Sequence, residues 1–267
     1  MASKLITTRQ LFEALKARKP MHILDTTYTL PDISPLENHF KHRIESSKFL
    51  DMKEISDQTS GLTMTMPSQE HFINTMRKLH VKNDTTPVIL YDLFNMTSPR
   101  AWFMFKVFGR NNVAILDGGL SKWISDSLPV ISGKYELPTT LDQTSDYSYI
   151  KNSKLFRTFE DIVKVSKDKS EEIIDSRPAK SFQESSIPNS FGLPFDLMYK
   201  NDKTFKKPEE LKELFEKTGV DFKKNIIHSC RIGHSACVNL FAMDLVGKES
   251  FLYDGSWEEW SKKIKIA

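Results

Sequence analysis

Hydrophobic positions along the chain follow two alternating patterns. Short continuous apolar runs, such as the ones at residues 23–24, 88–91 and 226–227, predict buried strands, because parallel strands covered on both faces are apolar throughout. Between these runs, apolar residues recur every three to four positions, which is the helical period. The clearest helical segments are residues 69–79, 100–108, 208–217 and 236–246. This alternation predicts an α/β fold with parallel sheets flanked by helices.

An internal repeat divides the chain into two halves. The matching segments are residues 23–26 with 173–176, 88–92 with 226–230, and 116–123 with 253–260. Three matches in the same order predict two tandem domains, residues 1–140 and 141–267, with a linker in the polar, glycine- and proline-containing stretch 132–152. The first half carries surplus residues between its first two matched strands, including a methionine-rich stretch at 61–67.

Composition removes several classes of function. The chain has 267 residues and a net charge of +3 with both signs spread along it, so nothing predicts nucleic-acid binding. No apolar run reaches the length of a membrane span, and the longest, residues 101–105, ends at Lys106. Two cysteines are too few for a disulfide framework and lack metal-site spacing, so we expect a reducing compartment and no metal or cofactor.

The N-terminal segment permits two interpretations. Residues 1–20 are basic, with Glu13 as the one acid, which is compatible with a mitochondrial presequence. Leu11, Phe12 and Leu15 recur at helical spacing after Thr7 or Thr8, either of which can cap a helix. The second interpretation, a first helix of the domain, is favoured, and targeting stays open.

The segment after the strand at 226–228 has the properties of a nucleophile site. Ligands of parallel sheets bind beyond the carboxyl ends of the strands, where Cys230 stands. A loop through residue 235 leads into a helix starting near Ala236, and a helix N-terminus with Arg231 beside it favours a thiolate. Gly233 gives the loop its backbone freedom. The alternative for any free cysteine is a buried apolar residue, which is the interpretation we adopt for Cys237.

These motifs resemble those of the rhodanese/mercaptopyruvate sulfurtransferase family. The motifs that carry the resemblance are Asp175-Ser176-Arg177, Ile187-Pro188, Leu193-Pro194-Phe195, the loop from Cys230, Tyr253-Asp254-Gly255-Ser256 before Trp260, and, in the first half, Phe49-Leu50-Asp51, Pro99-Arg100-Ala101-Trp102 and Leu116-Asp117-Gly118-Gly119. The resemblance implies two tandem rhodanese-like domains and double displacement through a Cys230 persulfide. It also implies a structural, non-catalytic first half, because Asp92 takes the place of the cysteine.

The resemblance also yields the expected site. Cys230 is the catalytic residue, and the expected substrate- and persulfide-binding residues are Arg231, Ile232, Gly233, His234, Ser235 and Arg177. A basic residue that the family has ahead of Phe182 is Ser181 here, and apolar Ile232 follows Arg231. Arg177 either receives a donor anion or pairs with a neighbouring carboxylate, and His234 either assists a proton transfer or is an exposed bystander.

Two functions from different classes follow. The first is a sulfurtransferase that moves a sulfur atom from an anionic donor of the thiosulfate or mercaptopyruvate class to a thiol or cyanide acceptor. The second, suggested by the missing basic residues, is a catalytically reduced accessory or scaffold subunit of a larger assembly. We expect a mitochondrial location, with the cytosol as the alternative. A cysteine phosphatase is excluded because Ala236 stands where that chemistry needs an arginine.

Overall fold

The computed structural model describes residues 3–28, 32, 34–135 and 147–264. The chain forms two compact units that interleave along the sequence. Unit 1 contains Met1–Ser56, Pro67–Asn152 and Asn201–Thr204, and unit 2 contains Asp57–Met66, Ser153–Lys200 and Phe205–Ala267. The domain boundary predicted at residue 140 and the centre of the predicted linker lie outside the described residues.

Unit 1 is a five-stranded, all-parallel sheet with flanking helices. Its elements are β1 (Leu5–Ile6), α1 (Thr8–Lys16), β2 (His22–Asp25), α2 (Pro35–Lys41), β3 (Ser47–Phe49), α3 (Met52–Ile55), α4 (Gln69–Lys78), β4 (Val88–Tyr91), α5 (Ser98–Val107), β5 (Val113–Leu116) and α6 (Gly119–Ser125). The strand order is β1-β5-β4-β2-β3, and β4 and β5 are buried along their full length. The continuous apolar runs therefore form the sheet centre, as predicted.

Helix ends in unit 1 follow local capping chemistry. Thr7 caps α1, accepting from the Gln10 N–H while the Gln10 side chain accepts from the Thr7 N–H, so the helical interpretation of the N-terminal segment is confirmed. Helix α5 begins at Ser98, two residues before its predicted start, because Pro99 suits the first helical turn. The apolar run of α5 is buried within unit 1. Within the described ranges, no helix has both the length and the apolar composition needed to cross a bilayer.

Unit 2 repeats this plan with four parallel strands. Its elements are α7 (Phe159–Asp168), β6 (Glu172–Asp175), α8 (Ala179–Glu184), β7 (Ser190–Gly192), α9 (Pro208–Lys217), β8 (Ile226–Ser229), α10 (Ala236–Leu245), β9 (Phe251–Leu252) and α11 (Ser256–Lys263), with 3-10 turns at Ser153–Leu155 and Phe195–Met198. The strand order is β7-β6-β8-β9, all parallel. Two parallel-sheet α/β units confirm the predicted fold class.

Residues 57–66 are part of unit 2 although they precede α4 of unit 1 in the chain. We call this segment the strap. The Asp57 N–H donates to the Thr65 carbonyl at 3.0 Å, and the hydroxyl oxygens of Ser60 and Thr65 lie 2.7 Å apart, so the two ends of the strap meet. A compact surface loop with adjoining ends is an Ω-loop. The surplus residues of the first half of the sequence thus form an Ω-loop that belongs to unit 2.

Candidate functional site

Cys230 directly follows β8, at the carboxyl edge of the unit 2 sheet, and is only 1% exposed. All four residues of β8 are buried, which fixes the position of the residue that comes next. The loop 230–235 then turns into α10, and Gly233 has a φ of +75°, where a side chain would be strained. Cys237 is fully buried in the first turn of α10 and donates its S–H to the Gly233 carbonyl at 3.3 Å.

The N-terminus of α11 holds the cysteine loop by its carbonyl groups. The Trp257 N–H donates to the Cys230 carbonyl at 2.9 Å, and the Glu258 N–H donates to the Arg231 carbonyl at 2.8 Å. Ser256 Oγ accepts from the Cys230 N–H at 3.1 Å and donates to the Tyr253 carbonyl at 2.9 Å. These bonds fix the orientation of the first two peptide planes of the loop.

The fixed peptide planes leave unused donors in the loop. Because N–H and C=O point in opposite directions across a trans peptide, the N–H groups of Arg231 and Ile232 point away from α11. Within the described part of the chain, no hydrogen bond engages the backbone N–H of Arg231, Ile232 or Ser235. Unpaired backbone N–H groups at a helix N-terminus are the usual elements of an anion site.

The two arginines of the predicted site have different surroundings. The Arg231 side chain is exposed and forms no ion pair with the described residues. Arg177 is buried, donates to both oxygens of Asp175 at 2.7–3.0 Å and to the Ser185 carbonyl at 2.6 Å, and lies 4.5 Å from the Trp257 ring. The Arg177 side chain therefore pairs with a neighbouring carboxylate, which is one of the two alternatives given for it above. Arg231 is the cation that solvent can reach.

Two histidines lie close to Cys230 in the chain. His234 is buried within the loop, and a role for it in proton transfer stays a prediction. His228, on β8, is fully buried, and this burial lowers its pKa from 6.5 to about 3. The His228 ring is therefore neutral at physiological pH and adds no positive charge beneath the cysteine.

The equivalent place in unit 1 holds an anion of its own. Asp92 follows β4, and its carboxylate accepts five hydrogen bonds at 2.7–3.0 Å, from the N–H groups of Phe94, Met96, Thr97 and Ser98 and from the Ser98 hydroxyl. The N-terminus of α6 holds this loop as α11 holds the other, with the Leu120 and Ser121 N–H groups donating to the Asp92 and Leu93 carbonyls. The two halves of the repeat therefore share the same pair of backbone hydrogen bonds between helix and loop.

Ser256 was not predicted as a site residue. Its φ of +51° lies in the left-handed region that favours glycine, and the matching position in unit 1 is Gly119, with a φ of +63°. A side chain at Gly119 would meet the Asp92 carbonyl, its Cβ only 2.4 Å from that oxygen. The sequence signal for this role is the Asp-Gly pair that precedes both α6 and α11. These helices follow β5 and β9, the strands that lie beside β4 and β8, after which the Asp92 and Cys230 loops begin.

A family model described as "Rhodanese-like domain" matches residues 8–126 and 158–263. The chain belongs to the rhodanese family. Two matched segments confirm the tandem repeat, and the predicted family is correct. Members with two such domains include sulfurtransferases, which take a sulfur atom from a donor and pass it to an acceptor.

Curated relatives extend over nearly the whole chain. The 3-mercaptopyruvate sulfurtransferase of Mus musculus is 33% identical, covering 96% of this chain and 91% of the relative. The thiosulfate sulfurtransferase of Gallus gallus is 31% identical, covering 96% and 92%. This rhodanese-family chain is accordingly a tandem-domain sulfurtransferase, and both donor classes occur among its relatives.

Solved structures agree with this assignment. A 3-mercaptopyruvate sulfotransferase from Escherichia coli superimposes with a TM-score of 0.85 at 30% identity, covering 96% of this chain and 99% of the other. A yeast mitochondrial complex I sub-stoichiometric sulfur transferase subunit superimposes with a TM-score of 0.78 at 28% identity, covering 98% and 97%.

Proposed function

We propose that Cys230 carries the transferred sulfur atom as a persulfide. The supporting observation is the set of unpaired N–H groups of Arg231, Ile232 and Ser235 in the loop that begins at the cysteine. A persulfide is an anion, and several converging N–H groups stabilise an anion in a site that excludes water. The side chain of Ile232 would add no charge, so its contribution is through the backbone.

The reaction proceeds in two displacements. The Cys230 thiolate attacks the outer sulfur of the donor, an S–S bond forms, and the bond between that sulfur and the rest of the donor breaks, its electron pair leaving with the donor fragment. Cyanide or a thiolate then attacks the terminal sulfur of the persulfide, and the Cys230 thiolate is regenerated. Each step exchanges one bond to sulfur for another, so no external oxidant or reductant is needed.

Arg231 provides the first contact for an anionic donor in this proposal. Its side chain is exposed and without an ion-pair partner among the described residues, whereas Arg177 is occupied by Asp175. Arg177 therefore acts as a positioning residue, joining the β6 edge to Trp257 at the start of α11. The two donors to be compared are thiosulfate and mercaptopyruvate.

The test is cyanolysis by the purified, reduced protein with thiosulfate and mercaptopyruvate as separate donors. Wild type should form thiocyanate and gain the mass of one sulfur atom on exposure to the better donor, and Cys230→Ser should do neither. Cys237→Ser is the matched control, because it alters a buried cysteine seven positions along the chain, and it should retain turnover. A folded wild type that neither turns over nor gains mass would contradict the proposal.

A second candidate function is an accessory subunit of a mitochondrial assembly. Ser181 stands in place of the family's basic residue, so the site has one positive charge fewer with which to bind an anionic donor. One structural relative is itself a subunit of a mitochondrial complex. This candidate predicts that tagged protein fractionates with mitochondria and migrates in a large complex on native gels. It also predicts that Cys230→Ser migrates in the same way. A cytosolic, low-mass species would exclude it.

A further inference from the structure

Unit 1 carries a cavity of about 1010 Å³ along α1, which we call the α1 groove. Residues of β1, α1, β4 and β5 line it, together with the segments that precede β2, β4 and β5. Its size is that of a small-molecule site, since such pockets are roughly 300–1000 Å³ and mostly apolar. The apolar residues that line it include Leu5, Ile6, Met21, Pro87, Ile89 and Ala114.

The internal repeat gives the groove a matched place in unit 2. Ala114 of β5 pairs with Ile89 of β4, and in the same register Phe251 of β9 pairs with Ile227 of β8. Ala114 therefore corresponds to Phe251. The groove is lined by a methyl group at a position where the other unit has a ring.

Two further positions that line the groove are matched by the same comparison. Helices α1 and α7 both begin with a capping box, which aligns Ile6 with Arg157, each the residue before its N-cap. Strands β2 and β6 are equivalent, which aligns Met21 with Glu171, each the residue before its strand. Both differences replace a charged residue of unit 2 by an apolar residue of unit 1.

In unit 2 the three matched residues form a stacked ion pair. Arg157 donates to both oxygens of Glu171 at 2.7 and 2.9 Å, and its guanidinium lies 3.8 Å from the centre of the Phe251 ring. The three residues of unit 1 at these positions carry neither a charge nor a ring, and all of them line the groove. Apolar surface that is left open to water in this way marks a place where an apolar partner binds.

The polar margin of the groove has an excess of positive charge. Arg9, in the first turn of α1, and Lys19, beyond its last turn, both line the groove and are exposed. Neither side chain forms an ion pair with the described residues. Glu13 also lines the groove, but its carboxylate lies 3.7 Å from the Lys16 ammonium group. An apolar groove with a cation at each end of its helix suits an elongated apolar molecule that carries a negative charge.

We propose that the α1 groove binds a free alkyl carboxylate. The alkyl chain takes the place that the Phe251 ring and the Arg157 side chain have in unit 2, and Arg9 or Lys19 receives the carboxylate. Because unit 2 fills the matched place with its own side chains, the proposal assigns the ligand to unit 1. It is independent of the chemistry proposed for Cys230.

The test is isothermal titration calorimetry of the reduced, full-length protein with decanoate and octanoate, below the concentrations at which they form micelles. Wild type should bind one decanoate, about tenfold more tightly than octanoate, because each buried methylene group contributes a factor of about four. The triple variant Ile6→Arg/Met21→Glu/Ala114→Phe copies the unit 2 cluster into unit 1. Its decanoate affinity should fall at least about tenfold, because the chain then has no apolar space to enter.

A second variant tests the charges without altering the apolar lining. Arg9→Gln/Lys19→Gln should weaken decanoate binding about fivefold at low salt and leave the binding of uncharged decanol unchanged. The matched control is Lys164→Gln/Lys167→Gln, which removes two exposed charges from the equivalent helix α7 and should equal wild type.

Four results would overturn the proposal. They are a wild type that does not bind decanoate, an unchanged affinity in the folded triple variant, an equal loss in the α7 control, and a loss in Arg231→Gln, which would place the ligand at the cysteine loop. Urea unfolding shows whether the triple variant is folded, and the charge variant decides if it is not. Sedimentation with phosphatidylserine vesicles that the charge variant loses would make the groove a membrane contact and exclude a free ligand.

Discussion

Replacing Asp92 by alanine should destabilise unit 1 strongly, because the carboxylate is the internal anion of its loop. The N–H groups of Thr97 and Ser98 are buried, and each would lose its acceptor, whereas Phe94 and Met96 are partly exposed and would bind water instead. A buried donor left unpaired costs about 1–3 kcal/mol, so the two together cost about 2–6 kcal/mol. Asp92→Asn keeps one acceptor oxygen and should cost about half as much.

The assay is equilibrium unfolding in urea, followed by a probe in each unit because two units need not unfold together. Trp102 and Trp123 report on unit 1, and Trp257 and Trp260 on unit 2. Only the unit 1 transition should shift, and sulfate should restore part of the stability of Asp92→Ala by occupying the vacated site. An unshifted unit 1 transition would refute the view that the carboxylate stabilises the loop.

Three further predictions concern unit 2. His228→Leu should make the free energy of unfolding less sensitive to acid, because the unfolded state takes up a proton below pH 6.5 while burial holds the pKa of folded His228 at about 3. Between pH 7 and 5, wild type should therefore lose about 2 kcal/mol more unfolding free energy than the variant, measured by urea unfolding at each pH. An equal loss in both proteins would contradict this. Ser256→Gly should be more stable than Ser256→Ala by about 1 kcal/mol, measured by thermal unfolding, because φ is +51°. Arg231→Gln should lower kcat/KM for an anionic donor about fivefold at low salt, with no difference in high salt.

Much of the fold was readable because it depends on local pattern. The apolar runs at β4 and β8 are buried in their sheets, and the repeat gave Asp92 and Cys230 equivalent positions after those strands. Helix α5 begins two residues before its predicted start, because Pro99 belongs to the first helical turn although the apolar pattern begins after it. Strand burial and capping depend on neighbours in sequence, so a linear reading finds them.

The parts of the site that were not readable depend on distant contacts. The alternatives for Arg177 could be separated only by seeing Asp175, Ser185 and Trp257 around it. The sequence indicates only that the strap is surplus to the repeat, because the residues that bind it are 188 to 201 positions away in the chain. Likewise, the hold of α11 on the Cys230 loop has no local signature beyond the Asp-Gly pair that precedes the helix.

The strap also has a consequence for synthesis of the protein. Thr63 and Glu258 are separated by 195 residues, which a ribosome takes about 10–40 s to translate. Throughout that interval the nascent first half can complete its five-stranded sheet, but residues 57–66 have no surface to bind. The strap is therefore one of the last segments to acquire its native contacts, and a nascent chain stalled before α11 should be cleaved by protease at this loop, while the released protein resists.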